Sequence, residues 1–315
     1  MAKTSLSTII EKKHYRRGPA IILHRPETMT KHTAAAFLIA SILLSLFGLN
    51  LSCSSLFAPR LEVVAGTTQI AAVVTQIGGR AVNATSIVPP AQNPLKYELQ
   101  PEEMEMLSGA EIIVIHDWQK DILPQELTER NNATPPIRIF QLSLHEDWLL
   151  PAGQLEAAEK IADVLAESDP NRANVYLKAA ATYQEEIRYR EAHMQAVAES
   201  AFASGLLPST NVICEEHLEG FLTWLGFGVT ATFNELEANP DEVINALVAK
   251  GKEENVTVVV DSLQYSRATG VKIASKLLPQ GGTRLLFSNF PQGFTGTKTW
   301  SDTILNNAFR IFGSS

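Results

Sequence analysis

The sequence predicts an α/β protein: two parallel-sheet βα lobes joined by a long rigid helix, with a ligand cleft between the lobes. Three observations lead there. From Leu61 onward, short β-branched or apolar runs alternate with segments of helical periodicity, and this alternation occurs twice. Between the two sets lies one amphipathic stretch of about thirty residues, roughly 45 Å long as a helix and so longer than one lobe is wide. The 315 residues, 45% of them hydrophobic, are enough to bury the cores of two lobes.

The first lobe spans residues 60–168. Leu61-Glu-Val-Val-Ala reads as a strand, and the helix after it carries Ile70, Val73, Val74 and Ile77 on one face before Gly78-Gly79 ends it. Residues 81–88 form a second strand. A short helix begins at Pro101, where the missing N–H of proline costs nothing; strands follow at 111–115 and 137–140, then a helix at 151–167. The linking helix, 169–204, starts at Asp169-Pro170-Asn171 and carries Val175, Ala179, Tyr183 and Ile187 at four-residue intervals. The second lobe, 205–315, repeats the pattern. Its strands are expected at 211–214, 229–233, 256–260 and 284–288. Its helices are expected at 216–225, from Pro240 with Val243, Ile244, Leu247 and Val248, at 266–278, and at the C-terminus with Trp300, Ile304 and Phe309.

Residues 1–53 read as an export segment. The run from Ala34 to Ser52 is apolar and uncharged, Cys53 follows at once, and Met29 with Lys31 opens a signal peptide of ordinary proportions. Cys53 is the candidate lipidation site, and an uncleaved membrane anchor is the alternative for a run of this length. Either way the body lies outside the cytoplasmic membrane. Beyond residue 52 the chain keeps 19 basic against 32 acidic residues, a net charge of −13. Such a body repels nucleic acid and anionic lipid. With Cys53 and Cys214 as the only cysteines, a disulfide framework and a zinc-cysteine site are excluded.

Ligands of open parallel sheets bind beyond the carboxyl ends of the strands, which selects the loops at 89–98, 141–151, 215–217 and 289–291. The first of them lies within Ile-Val-Pro-Pro-Ala-Gln-Asn-Pro-Leu-Lys-Tyr-Glu-Leu-Gln-Pro, residues 87–101. This segment resembles the first metal-binding loop of the solute-binding proteins that deliver zinc, manganese or iron to ABC importers, usually Val-Pro-Pro-Gly-x-Asp-Pro-His-x-Tyr-Glu-Pro-x-Pro. Leu95 stands where that family has a histidine. His145-Glu-Asp-Trp-Leu-Leu-Pro resembles the family's Pro-His-x-Trp-Leu-x-Pro and puts Glu146 at the second histidine. Cys214-Glu-Glu-His-Leu-Glu-Gly-Phe puts Glu216 at the third ligand, and Leu286-Phe-Ser-Asn-Phe puts Asn289 at the aspartate.

The resemblance implies a transport protein, not an enzyme: the extracytoplasmic solute-binding component of an importer, working with a membrane permease. It would sit on the periplasmic side or the outer face of the cytoplasmic membrane, tethered through its N-terminus. The cargo implied is one divalent ion, manganese or zinc, held by Glu146, Glu216 and Asn289, with His145, His217 and Asp261 as substitutes. Two carboxylates and an amide suit a harder ion than zinc, and Leu95 contributes no donor, so affinity is expected to be reduced. The alternative is the same fold with metal binding lost, taking another small solute or serving as an interaction module. A hydrolase using Glu146 and Glu216 as a carboxylate pair has no further support, since Gly-x-Ser-x-Gly, His-Glu-x-x-His and a phosphate-binding Gly-rich loop are all missing.

Overall fold

The computed structural model describes residues 59–122, 137–205, 207, 210–234, 240–265, 267–278 and 282–313. The expected export segment, Met29 and Cys53 lie outside the described residues. Each half contains one four-stranded, wholly parallel sheet. In the first, β1 (Leu61–Ala65) is flanked by β2 (Val82–Ser86) and β3 (Ile112–His116), and β4 (Arg138–Leu142) lies outside β3, giving the order β2-β1-β3-β4. The second repeats it with β5 (Asn211–Glu215), β6 (Gly228–Phe233), β7 (Val258–Ser262) and β8 (Thr283–Phe287), in the order β6-β5-β7-β8.

Helices cover both faces of both sheets, which is why β3 and β7 are buried along their whole length. Alternate residues of a strand point to opposite faces, and the cores divide accordingly. Ile112 and Val114 of β3, and Val212 and Cys214 of β5, face one continuous core; Ile113 and Ile115 face a second, and Ile213 and Val259 a third. The continuous core is filled by α1 (Thr68–Gly78), α3 (Pro151–Ser168), α4 (Ala173–Ala203), α5 (Glu219–Trp224) and α8 (Trp300–Phe312). The second lies under α2 (Pro101–Gly109); the third lies under α6 (Pro240–Glu253) and α7 (Arg267–Leu277).

The two sheets are therefore joined by more than the 31-residue α4. They share a core, and hydrogen bonds cross between them: Gln69 Nε2 donates to the Asn289 carbonyl (2.8 Å), Thr68 Oγ1 to that of Pro291 (2.8 Å) and Gln264 Nε2 to that of Pro90 (2.6 Å). α4 itself buries Tyr176, Ala180, Tyr183, Ile187, Met194 and Ala198, steps of three, four and seven residues that keep to one face of a helix with about 3.6 residues per turn. The expected four-residue stripe drifts off this face at its N-terminal end, where Val175 is 58% exposed. Of the three residues named for the C-terminal helix, Trp300 and Ile304 are buried and Phe309 is 75% exposed.

A candidate ligand cleft at two strand switch points

In each sheet the chain leaves the first and third strands in opposite directions, so a crevice opens beyond the carboxyl ends of β1 and β3 and another beyond β5 and β7. The two crevices meet as one cleft of about 350 Å³ between the lobes. The first lobe contributes Gln69, Leu95, His116, Trp118, Asp147 and Trp148; the second contributes His217, Tyr265, Asn289 and Phe290. Local chemistry fixes each wall. After β1, Gly66 leaves room for Gln119, whose Oε1 would lie 2.0 Å from any Cβ there; Gln119 bridges the Gly66 carbonyl and the His116 amide. His116 ends β3 fully buried, with Nε2 2.8 Å from Thr67 Oγ1 and Nδ1 unpartnered. Asn93 Oδ1 accepts from the Leu95 amide (2.9 Å), an Asx turn that carries Leu95, 58% exposed, at the edge of the cleft.

The sequence-selected residues separate into two groups. Leu95, His217 and Asn289 line the cleft. Glu146 and Glu216 are exposed and not among its lining residues; Glu216 accepts a 3.3 Å hydrogen bond from Asn234 Nδ2. Asp147 enters in place of Glu146, because its Oδ1 accepts from the Leu149 amide (2.8 Å) and its backbone carbonyl packs against Gly153 of α3. α4 supports this turn from behind: Tyr183 donates to Gln154 Oε1 (3.0 Å), and Gln154 Nε2 to the Trp148 carbonyl (2.7 Å). His145 points to solvent and pairs with Glu156 of α3 at 2.9 Å. Asn289 is a structural node, its Oδ1 accepting from Ser262 Oγ (2.6 Å) and its Nδ2 donating to the His217 carbonyl (3.1 Å). Asp261 is wholly buried below the cleft, 2.6 Å from Arg284 Nη2. Trp118 and Tyr265 were not selected from sequence, though Tyr265 falls just past β7, where the strand-end rule applies.

Burial would lower the His217 pKa, but the hydrogen bond and charge of Glu215, 2.7 Å from Nδ1, together with Glu216 and Asp147, carry it above its usual value. Solvent reaches Asp147, yet the protein around its carboxylate still raises its pKa, opposed by the Leu149 amide and His217. Burial raises Asp261 to about 6 against the opposing Arg284. Both raised groups favour the folded state most at low pH, and this contribution fades as pH rises, for Asp261 between 3.8 and about 6. His116 runs the other way. Burial lowers it from 6.5 to about 3, so its stabilisation is complete above pH 6.5 and lost as the unfolded chain takes up a proton on acidification. That loss is about 1.4 kcal/mol per pH unit, or about 2 kcal/mol at pH 5. His116→Gln is expected to shrink the fall in urea midpoint between pH 7 and pH 5 correspondingly; an unchanged fall would assign it to another group.

Residues 63–311 match the family described as zinc-uptake complex component A, periplasmic (ZnuA). The chain belongs to this family. Its members are solute-binding proteins of zinc and manganese ABC importers, transport proteins rather than enzymes. Among ZnuA-family relatives, the manganese-binding lipoprotein MntA of Bacillus subtilis is 23% identical over 283 residues, covering 75% of this chain and 91% of the relative. The manganese ABC transporter substrate-binding lipoprotein scaA of Streptococcus gordonii is 26% identical over 149 residues, 41% of this chain and 48% of that protein. The fold recurs in the crystal structure of ZnuA, with a TM-score of 0.65 at 19% identity over 81% of this chain and 98% of that one. It recurs again in the periplasmic zinc-binding protein TroA from Treponema pallidum, with a TM-score of 0.66 at 15% identity and the same coverage of 81% and 98%.

Proposed function

We propose that this chain is the extracytoplasmic solute-binding component of an ABC importer for divalent ions of the zinc, manganese and iron class, and that it holds a bare ion weakly. In this reading it is tethered through lipid on Cys53 to the outer face of the cytoplasmic membrane and hands its cargo to a membrane permease. The observation that carries the transport reading is the family match over residues 63–311, with a cleft at the paired switch points. The thin donor set supports the weak binding. Among the described residues, only Glu215, Glu216 and His217 bring three ligand atoms within 4.8 Å of one another, and both oxygens of Glu215 already accept from His217.

Thermal unfolding with added metal tests this. A ligand present at a hundred times its dissociation constant stabilises by about 2.7 kcal/mol, or about 5–10 °C for a body of this size. At millimolar metal, zinc is expected to raise the melting temperature by less than that and manganese by more than zinc. Stoichiometric zinc in elemental analysis, with nanomolar affinity, would overturn the weak-binding reading and leave the transport reading intact.

A second reading is favoured by the cleft walls. Leu95, Trp148, Tyr265 and Phe290 form a surface suited to a small organic solute rather than to an ion.

A further inference from the structure

The cleft is larger and more aromatic than a bare ion needs. Its volume of about 350 Å³ falls within the range of pockets that enclose small organic molecules. A divalent ion, by contrast, asks for oxygen or nitrogen donors drawn in to about 2.0–2.6 Å. Trp118 lies flat on the His116 ring, with centroids 4.8 Å apart and planes at 12°. Trp148 meets the same ring at 4.8 Å and 79°. The two indoles therefore stand nearly at right angles and form one corner of a box, and Tyr265 from the second lobe, stacked on His217 at 4.1 Å, supplies a further wall.

The charged side chains around this box are mostly acidic. His217, the basic group among them, pairs with Glu215 at 2.7 Å. Asp147 supplies a carboxylate to the lining, and Glu146 and Glu216 adjoin Asp147 and His217 in the chain. Asp147 Oδ2 accepts no hydrogen bond from a described residue. His116 Nδ1, fully buried in the cleft wall, is likewise unpartnered. Ring faces and diffuse negative charge are what a methylated ammonium head needs, because it has no N–H to satisfy and loses little by leaving water.

We infer that the cleft binds a small organic ammonium cation, its charged head boxed by Trp118, Trp148 and Tyr265 and paired with Asp147. This rests on the second reading above, that the cleft serves an organic solute.

Calorimetric titration of the purified full-length chain with choline and with tetramethylammonium tests it, alongside manganese chloride, zinc chloride, sodium acetate and glycerol. Choline is expected to bind one to one and to change tryptophan fluorescence. Trp118→Ala and Asp147→Asn should each weaken it at least tenfold, and Trp118→Phe should keep most of the affinity. Trp118 is 43% exposed, and asparagine retains the Oδ1 acceptor for the Leu149 amide, so both variants should fold, as circular dichroism would verify. Choline binding unaffected by either variant overturns the inference. Binding of acetate or glycerol without either ammonium compound also overturns it but keeps the organic-solute reading. Binding of metal alone removes both.

Discussion

Trp300→Ala is expected to lower the unfolding free energy by about 3–5 kcal/mol, the range for truncating a large buried aromatic side chain. Trp300 opens α8, where Thr299 and Asp302 form a reciprocal capping box that fixes the helix start and hence the direction of the indole. The ring is 2% exposed and belongs to the core shared by both sheets. Its Nε1 donates to the Leu149 carbonyl at 2.9 Å, so a residue of the second lobe completes the turn that presents Asp147 and Trp148 in the first. Alanine would leave a cavity and strand a buried carbonyl at once, and the two costs add. Trp300→Phe separates them: it keeps most of the apolar volume, removes the donor, and should cost about 1–2 kcal/mol. Urea unfolding of the three proteins measures both steps. An alanine variant within 1 kcal/mol of the parent, a threshold below the smallest loss seen for such truncations, would mean that the lobes are not held through this contact.

The sheets were legible because strands buried on both faces appear as continuous Val/Ile runs, and parallel connections separate those runs by helical segments. The same continuity blurs their ends. The run Val256-Thr-Val-Val-Val predicted a strand at 256–260, whereas β7 occupies Val258–Ser262, with Val256 buried in the approach to it. One helix was expected over 216–225, but Glu216–Leu218 forms a separate 3-10 turn, and its end, with Glu215 accepting from the His217 amide and ring, sets where His217 lies. At the site, the strand-end rule selected the loops that carry Leu95, His217 and Asn289 because it depends on topology, which the alternation reveals, and the family resemblance singled out Leu95 and Asn289 within them. It could not choose among His145, Glu146 and Asp147. Three consecutive loop residues differ only in which of them caps the chain, and here Asp147 does so. Trp118 was hidden for a different reason: its role exists only through the His116 ring beneath it.

Leu95→His is expected to lower the dissociation constant for zinc by about ten- to a hundredfold, and for manganese by less. Structural zinc sites yield about 10–16 kcal/mol from four ligands, so one added imidazole is worth about 3 kcal/mol, close to a hundredfold. The exposed position of Leu95 reduces this, because part of the gain is spent in ordering the side chain. The Asx turn at Asn93 already holds the backbone at the edge of the cleft, with Asp147 and His217 among the other lining residues. Imidazole is a softer donor than the oxygens present, which is why zinc should gain more than manganese. The new ligand acts only when deprotonated, so the gain should shrink below about pH 6.5. Leu95→Ala is the control: it removes the same apolar side chain and adds no donor. Equal metal affinity in the two variants would show that residue 95 does not reach the ion, and the reduced donor set would then need another origin than the leucine.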